Sequence, residues 1–376
     1  MNTIPKPRIT VFLANLLLIV VTGLVLVLLW ELRSLLVALM IAIVIAATLA
    51  PIIERIQSLR MPRWLAVITV YLGLIGILTG VGLVIGPTVV QQIERLIERL
   101  PTFLEILRSL VESLAIRLGM ADPESISPIS QLFDTQAFTG WVIRTSQQLL
   151  MRSYDVTKGI LGGFLTLILA LLFSGYMLAG SDSLIKGLVS LLPYPWNERL
   201  EAQVQPVSQR IGGYIQGRVL VSATLGVVVT IGLQFLGLSE LALGLGVIAG
   251  LTDLIPFVGP ILGAVPALIA AIAQGGLTFW WVLLLFVIIQ NLETYVLDPL
   301  LVGTSVNIHP LYHLLAVLGG TQVLGLVGAL IIPPWVAGAA VLLENLYLKP
   351  KQLAEQAAVS TPLATAQPPN PLPVNH

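Results

Sequence analysis

The chain has 376 residues with 19 Lys+Arg and 19 Asp+Glu, so 10% of the residues are charged, against about 25% in soluble domains. Hydrophobic residues make up 56% and the net charge is zero, which excludes an ordinary soluble domain and argues against a nucleic-acid partner. There is no cysteine, which excludes disulfides, thiolate metal sites and thiol catalysis. The composition predicts an all-α, polytopic membrane protein in contact with lipid.

Apolar segments long enough to cross about 30 Å of hydrocarbon recur along the chain, and in lipid such segments must be helical. We predict about eight crossings, at residues 11–30, 35–53, 64–86, 160–179, 214–237, 278–297, 309–331 and 333–348. A further apolar stretch at 241–273 contains Pro256, Gly259, Pro260 and Pro266, and we interpret it as two half-helices that meet at a break. Basic residues before the first span and after the second and fourth favour cytoplasmic positions for both termini.

Residues 87–159 differ from the flanking spans because they are amphipathic and contain alternating Glu/Arg pairs. Apolar side chains recur there at heptad spacing, at Ile93, Ile97, Leu100, Leu104, Leu107, Val111 and Leu114. Two interpretations remain open: a helical hairpin that folds on itself or rests on lipid, and an arm that joins subunits into an oligomer. A second amphipathic helix is predicted from Asp134.

The predicted domain organisation has four parts. Residues 1–86 form N-terminal transmembrane helices, 87–159 an extracytoplasmic helical arm, 160–348 a transport region and 349–376 a disordered tail.

The break near residue 256 would place unwound backbone at membrane depth. Pro256 and Pro260 remove backbone donors, and Gly259 permits dihedrals that other residues avoid. Transporters use such freed backbone to hold solutes or ions. Asp253 lies three residues before Pro256, so we expect a functional carboxylate there, with an interfacial helix cap as the alternative.

A second segment interrupted by Gly and Pro follows at 322–345. Its Ile332-Pro333 dipeptide repeats the earlier Ile255-Pro256, which suggests two related broken hairpins. We expect the two breaks, at Pro256 and Pro333, to come together inside the bilayer and hold a solute.

A polar patch lies between the two breaks, late in an apolar helix. Gln290 and Glu293 share one face, and Asn291 is adjacent, so these three are further candidates for solute or ion binding. The alternative is that Glu293 and Asp298 only reach the cytoplasmic interface. Arg218 is either a countercharge for one of the carboxylates or a residue that snorkels to the interface.

No pattern in the sequence predicts an enzyme or a cofactor. His309 and His313 have the spacing of metal ligands on a helix, but no third ligand is evident and Pro310 favours a helix cap, so we predict no metal site. Walker, G-x-S-x-G and HExxH motifs are absent, which leaves ion-coupled or passive transport.

Four motifs, at 254–267, 291–299, 302–310 and 325–333, closely resemble in order and spacing the AI-2E (autoinducer-2 exporter) family of bacterial transporters. The resemblance implies an inner-membrane permease, assembled as a homo-oligomer with pentamers known in the family. It also implies that hairpins at 241–273 and 322–345 hold the solute in an elevator-like cycle. Family members often have a basic residue soon after the proline that is Pro299 here, whereas this chain continues with Leu300.

Three hypotheses for function follow. The first is export of a small polar metabolite or quorum-sensing signal such as autoinducer-2. The second is cation/proton antiport, since the family includes members credited with sodium-linked exchange. The third is a non-transporting membrane scaffold whose external helices recruit a partner.

Overall fold

The computed structural model describes residues 8–117, 153–275, 277–302 and 309–360. Every regular element in these ranges is a helix, and six of the helices are long and apolar enough to cross a membrane. Three shorter apolar helices accompany them, at Asn15–Glu31, Ala242–Asp253 and Gly259–Gln274. The predicted polytopic α-helical membrane fold is confirmed.

The helices are α1 (Arg8–Glu31), α2 (Arg33–Gln57), α3 (Arg63–Arg117), α4 (Ser153–Ala179), α5 (Ser181–Val189), α6 (Trp196–Phe235), α7 (Ala242–Asp253), α8 (Gly259–Gln274), α9 (Thr278–Leu292), α10 (Pro310–Leu343) and α11 (Lys349–Ser360). A π-helical segment, Glu293–Val302, continues α9, and a second, Glu344–Leu348, joins α10 to α11.

The N-terminal helices pack through small and branched apolar side chains. Ala46, Leu49 and Ile53 of α2 are buried against Val67 of α3 and Leu178 of α4. Many large apolar side chains on the outer faces of α1, α3 and α4 are exposed, which fits helices surrounded by lipid rather than water. Of these helices, α2 packs against α6 and α10, and α3 packs against α7 and α8.

Helix α3 has 55 residues and is therefore about 83 Å long, more than twice the thickness of a bilayer core. The boundary that we predicted at residue 87 lies inside this continuous helix. Of the arm residues, Ile93 is half-buried near α7 and Ile97 is 58% exposed. The side chains of Leu100, Leu104, Leu107, Val111 and Leu114 lie outside the described part, as does the helix predicted from Asp134, so a role in association stays a prediction.

Hairpin I consists of α7, a non-helical tip at 254–258 and α8, as the sequence predicts for 241–273. Its arms have 12 and 16 residues, about 18 and 24 Å, so neither crosses the hydrocarbon alone. A Cβ added at Gly263 would lie 2.8 Å from the Cα of Ala249, so the arms touch through their backbones. A Cβ at Gly250 would lie 2.9 Å from the backbone oxygen of Ser222, and this approach brings α7 close to α6.

Hairpin II lies within α10, and its turn differs from the predicted one. The chain reverses at Gly325, whose dihedrals are φ 63 and ψ −146, and the backbones of Gly320 and Gly328 touch across the turn. We predicted a break at Pro333, but Pro333 and Pro334 are buried inside the second arm. The prediction of two spans separated near residue 332 is therefore wrong, because the glycine supplies the reversal and the helix accommodates the prolines.

The two hairpins meet, but not through two breaks at Pro256 and Pro333 as the sequence analysis expected, because Pro333 lies inside a helical arm. Ile255 at the tip of hairpin I is buried in one apolar cluster with Val317 and Ala329, which lie on the two arms of hairpin II. The tip of the first hairpin therefore packs against both arms of the second.

The C-terminal tail is not disordered from residue 349 as predicted, since residues 349–360 form α11. This stretch is rich in Ala, Gln, Lys and Glu, which are good helix formers. Lys351 and Glu355 form an i,i+4 pair at 3.7 Å. Residues 361–376 lie outside the described part of the chain.

Candidate functional site

Helix α6 presents a buried polar face within an apolar span. Tyr214, Arg218 and Ser222 are spaced four residues apart, so they lie above one another on one side of the helix. All three residues are at least 96% buried. A buried arginine requires partners, and they come from hairpin I and the end of α9.

The Arg218 guanidinium joins three separate elements. Its Nη1 donates to Oε1 of Glu293 at 2.9 Å, and its Nη2 donates to Oδ1 of Asp253 at 3.1 Å. Nη2 also donates to the backbone carbonyl oxygen of Asp253 at the C-terminus of α7. Arg218 therefore holds α6, the tip of hairpin I and the end of α9 in one arrangement.

Two further side chains complete the hydrogen bonding of the carboxylates. The hydroxyl of Ser222 donates to Oδ2 of Asp253 at 3.0 Å, and Nε2 of Gln290 donates to Oε2 of Glu293 at 3.1 Å. Every carboxylate oxygen of Asp253 and Glu293 thus has a donor. We call these five residues, Arg218, Ser222, Asp253, Gln290 and Glu293, the charged cluster.

The π-helical segment after α9 brings a third carboxylate to the cluster. A π-helix bonds residue i to residue i+5, so Asp298 lies close to Glu293. In an α-helix, Asp298 would point in a different direction from Glu293. Oδ1 of Asp298 lies 3.6 Å from Nη1 of Arg218, and its side chain is 42% exposed. A Cβ at Gly217 would lie 2.6 Å from the carbonyl oxygen of Leu301, so this glycine lets the π-helical segment approach α6.

Formal charges in the cluster do not cancel. One guanidinium faces two carboxylates that are each at least 94% buried, with Asp298 at its edge. Because buried charge is costly unless compensated, this surplus of negative charge favours a bound proton or cation, or donor groups of a polar solute. This surplus lies where the middle of α6, the end of α7 and the end of α9 meet.

An aromatic group lies next to the charged cluster. Nε2 of His313, on the first arm of hairpin II, is 3.1 Å from the hydroxyl of Tyr214. The His313 ring makes an edge contact with Phe257, at a centroid distance of 5.5 Å. Phe257 has a φ of 67 at the tip of hairpin I, a strained conformation for a bulky residue. The same tip therefore touches the charged cluster on one side and hairpin II on the other.

Six of the eight candidate binding residues from the sequence lie in the charged cluster or at the tip of hairpin I. Asp253, Gln290 and Glu293 belong to the charged cluster, and Pro256, Gly259 and Pro260 lie in or beside the tip of hairpin I. The remaining two candidates lie elsewhere.

Asn291 is exposed and donates to the backbone oxygen of Val287, while Pro333 lies inside hairpin II. Neither contacts the charged cluster through a hydrogen bond. His309 caps α10, accepting from the backbone nitrogen of Leu311 at 3.2 Å, as the following proline predicted.

Sequence reasoning named Arg218 as an available countercharge but missed three of its neighbours. Ser222 and Tyr214 were not among the candidates, and His313 was considered only as a metal ligand and rejected. A signal was present for the first two, because a serine and a tyrosine four residues on either side of a membrane arginine share its helix face. No local pattern indicated that His313 contacts Tyr214, which is 99 residues away in the sequence.

Comparison with known proteins finds matches among transport proteins. A family model described as "AI-2E family transporter" matches residues 16–348. YrrI of Bacillus subtilis (strain 168), named as a transport protein, is 29% identical over 317 residues, covering 83% of this chain and 86% of that protein. PerM of Escherichia coli (strain K12), named as a permease, is 29% identical over 288 residues, covering 76% of this chain and 79% of its own length.

Proposed function

The chain belongs to the AI-2E transporter family, and on that premise we propose that it exports a small polar metabolite or signalling molecule, resembling autoinducer-2, across the bacterial inner membrane. In this proposal the protein is a homo-oligomer with both termini in the cytoplasm. Transport proceeds by alternating access, in which the two hairpins move as a unit relative to α2, α3 and α4.

The charged cluster is the observation that supports this proposal best. A buried guanidinium that holds the tip of hairpin I through Asp253 must release it if the tip moves. Release would free two donors on Arg218 and the oxygens of Asp253, and hydroxyl or carbonyl groups of a solute can pair with both. The exchange replaces one set of hydrogen bonds with another, so the charges need not cross the membrane unpaired.

Contact between the hairpins supports their moving together. Ile255 packs against Val317 and Ala329, and Phe257 contacts His313. If the tip of hairpin I moves, these contacts require hairpin II to move with it. The tip of hairpin I also has no regular hydrogen-bonded helix at 254–258, which gives it the freedom to shift.

Transport assays with conservative variants test this proposal. Purified protein in proteoliposomes should move labelled autoinducer-2, and Asp253→Asn and Glu293→Gln should slow the flux. Loss of one charge-assisted hydrogen bond costs about 1.5–3 kcal/mol, which corresponds to roughly a tenfold to hundredfold decrease if the bond is remade to the solute. Glu355→Gln, which removes an exposed pair with Lys351, is the matched control and should transport normally.

Two results would count against the proposal. Normal flux in both cluster variants would remove these carboxylates from the mechanism. Absence of any flux of the labelled compound in protein of native fold would exclude it as a substrate.

Cation/proton antiport is a second candidate, favoured by the surplus of carboxylates over guanidinium in the charged cluster. A proton and a sodium or potassium ion could compensate this charge in turn. A sodium or potassium pulse would then shift the internal pH of dye-loaded proteoliposomes, and Glu293→Gln would abolish the shift. An unchanged internal pH with either ion would exclude this candidate.

A further inference from the structure

A large cleft in the described part of the chain lies away from the charged cluster. It is a cleft of about 860 Å³ at the end of the bundle where α2 and α4 finish and α5 and α6 begin. Its lining includes neither Arg218 nor any other residue of the charged cluster. Its size falls within the roughly 300–1,000 Å³ that is usual for small-molecule sites.

Apolar side chains form the walls of the cleft. Ile43 and Ala50 of α2 face Val204 and Ile211 of α6, and Ile185 of α5 lines it as well. A cleft of this composition within a membrane protein favours an occupant with an apolar body.

Charged residues of both signs line the same cleft. Arg63 is held there by a 2.7 Å hydrogen bond from its Nε to the backbone oxygen of Leu178, and its Nη1 lies 3.7 Å from Oδ1 of Asp182, a carboxylate that also lines the cleft. Lys186 is a second cation, and Glu54 and Glu201 are carboxylates. Across the residues that the structure describes, neither Lys186 nor these two glutamates has a salt-bridge partner. A ligand with both a negative and a positive group would complement this set.

Helix α5 connects the cleft to lipid. The helix has no buried residue, and Leu188 both lines the cleft and is 59% exposed. The segment that follows exposes Tyr194 and Trp196, the residue types that sit at the membrane–water interface. The side of α5 that carries Lys186 can keep that charge at the surface while its leucines enter the bilayer.

We propose that this cleft binds one zwitterionic phospholipid from the surrounding leaflet. An acyl chain lies along the apolar wall that α2 and α6 form. The phosphate pairs with Arg63 and Lys186, and the primary ammonium pairs with Glu54 and Glu201. Phosphatidylethanolamine has such a phosphate, primary ammonium and acyl chain. The cleft is separate from the charged cluster, so lipid binding there does not depend on which solute is transported.

Photolabelling in nanodiscs tests the site. The probe is phosphatidylethanolamine with a diazirine in one acyl chain, and adducts are mapped by peptide mass spectrometry. We expect adducts to concentrate on residues 181–192 and 200–211 above the level on the outer face of α4. Ala50→Trp fills the cleft and should reduce these adducts to that level, whereas Leu165→Trp, on the exposed face of α4, should leave them unchanged.

Headgroup preference is tested with surface variants that leave the core intact. Phosphatidylglycerol carrying the same diazirine should label the cleft less than phosphatidylethanolamine does. Glu54→Gln combined with Glu201→Gln should remove that difference, and Glu198→Gln, a residue of α6 that does not line the cleft, should preserve it. Equal labelling of the cleft and of α4 would overturn the site, and equal labelling of the native cleft by both lipids would overturn the headgroup assignment.

Discussion

Replacement of Arg218 by methionine is the sharpest test of the charged cluster. Methionine keeps most of the length of the side chain but removes the charge, so Asp253 and Glu293 are left buried without a cation. Their side chains are only 3% and 6% exposed, so water cannot compensate them. Breaking a buried ion pair in this way costs about 3–5 kcal/mol. Neutralising both carboxylates as well, with Asp253→Asn and Glu293→Gln, should recover most of that loss.

The free energy of unfolding can be measured in bicelles by steric trapping, which avoids irreversible heating. Arg99→Met is the matched control, because Arg99 forms a 3.1 Å pair with Glu240 while both side chains are more than half exposed. Such a pair contributes only about 0–1 kcal/mol. If Arg218→Met were no more destabilising than Arg99→Met, or if the triple variant were less stable than Arg218→Met alone, burial would not govern the energetics of this cluster.

Three further substitutions test the hairpins. Gly325→Ala should destabilise the protein by about 1–3 kcal/mol, because the dihedrals of Gly325 are strained for other residues, while Gly319→Ala, which has open space around it, should be nearly neutral by the same trapping assay. Gln92→Leu removes the side-chain oxygen that accepts a 2.6 Å hydrogen bond from the backbone nitrogen of Gly244 near the start of α7. It should lower the free energy of unfolding by about 1 kcal/mol and speed hydrogen exchange at Gly244. Unchanged exchange would contradict a capping role for Gln92. Gly250→Leu should push α7 away from α6, which would lengthen the distance between spin labels on the two helices. An unchanged distance would contradict the close approach of α7 and α6 at Gly250.

Hydropathy was sufficient to predict the class of fold and the position of hairpin I. The breaking residues overlap the observed tip at 254–258, where Pro256 lies, and the first turn of α8, which begins with Gly259 and Pro260. Hairpin II shows the limit of the same reasoning. Several glycines precede Pro333, and only the packing of Gly320 against Gly328 shows that the chain turns at Gly325.

The candidate site was predictable in part. A carboxylate at the tip of a broken hairpin and another late in an apolar helix are each conspicuous, because membrane charges are rare. Their common partner, Arg218, is not conspicuous in the sequence, because it could be either a countercharge or an interfacial residue. The π-helical segment that brings Asp298 towards Arg218 has no signature in hydropathy.

From the sequence alone it follows that this protein crosses the membrane several times and that a few charged residues lie in apolar segments, because these properties depend on runs of adjacent residues. The folded structure was needed to show that Arg218 binds both Asp253 and Glu293, which are 35 and 75 residues away. It also decided that the two hairpins touch through Ile255, Val317 and Ala329. Such pairings depend on which helix faces meet, and glycines at the crossings set how closely they meet.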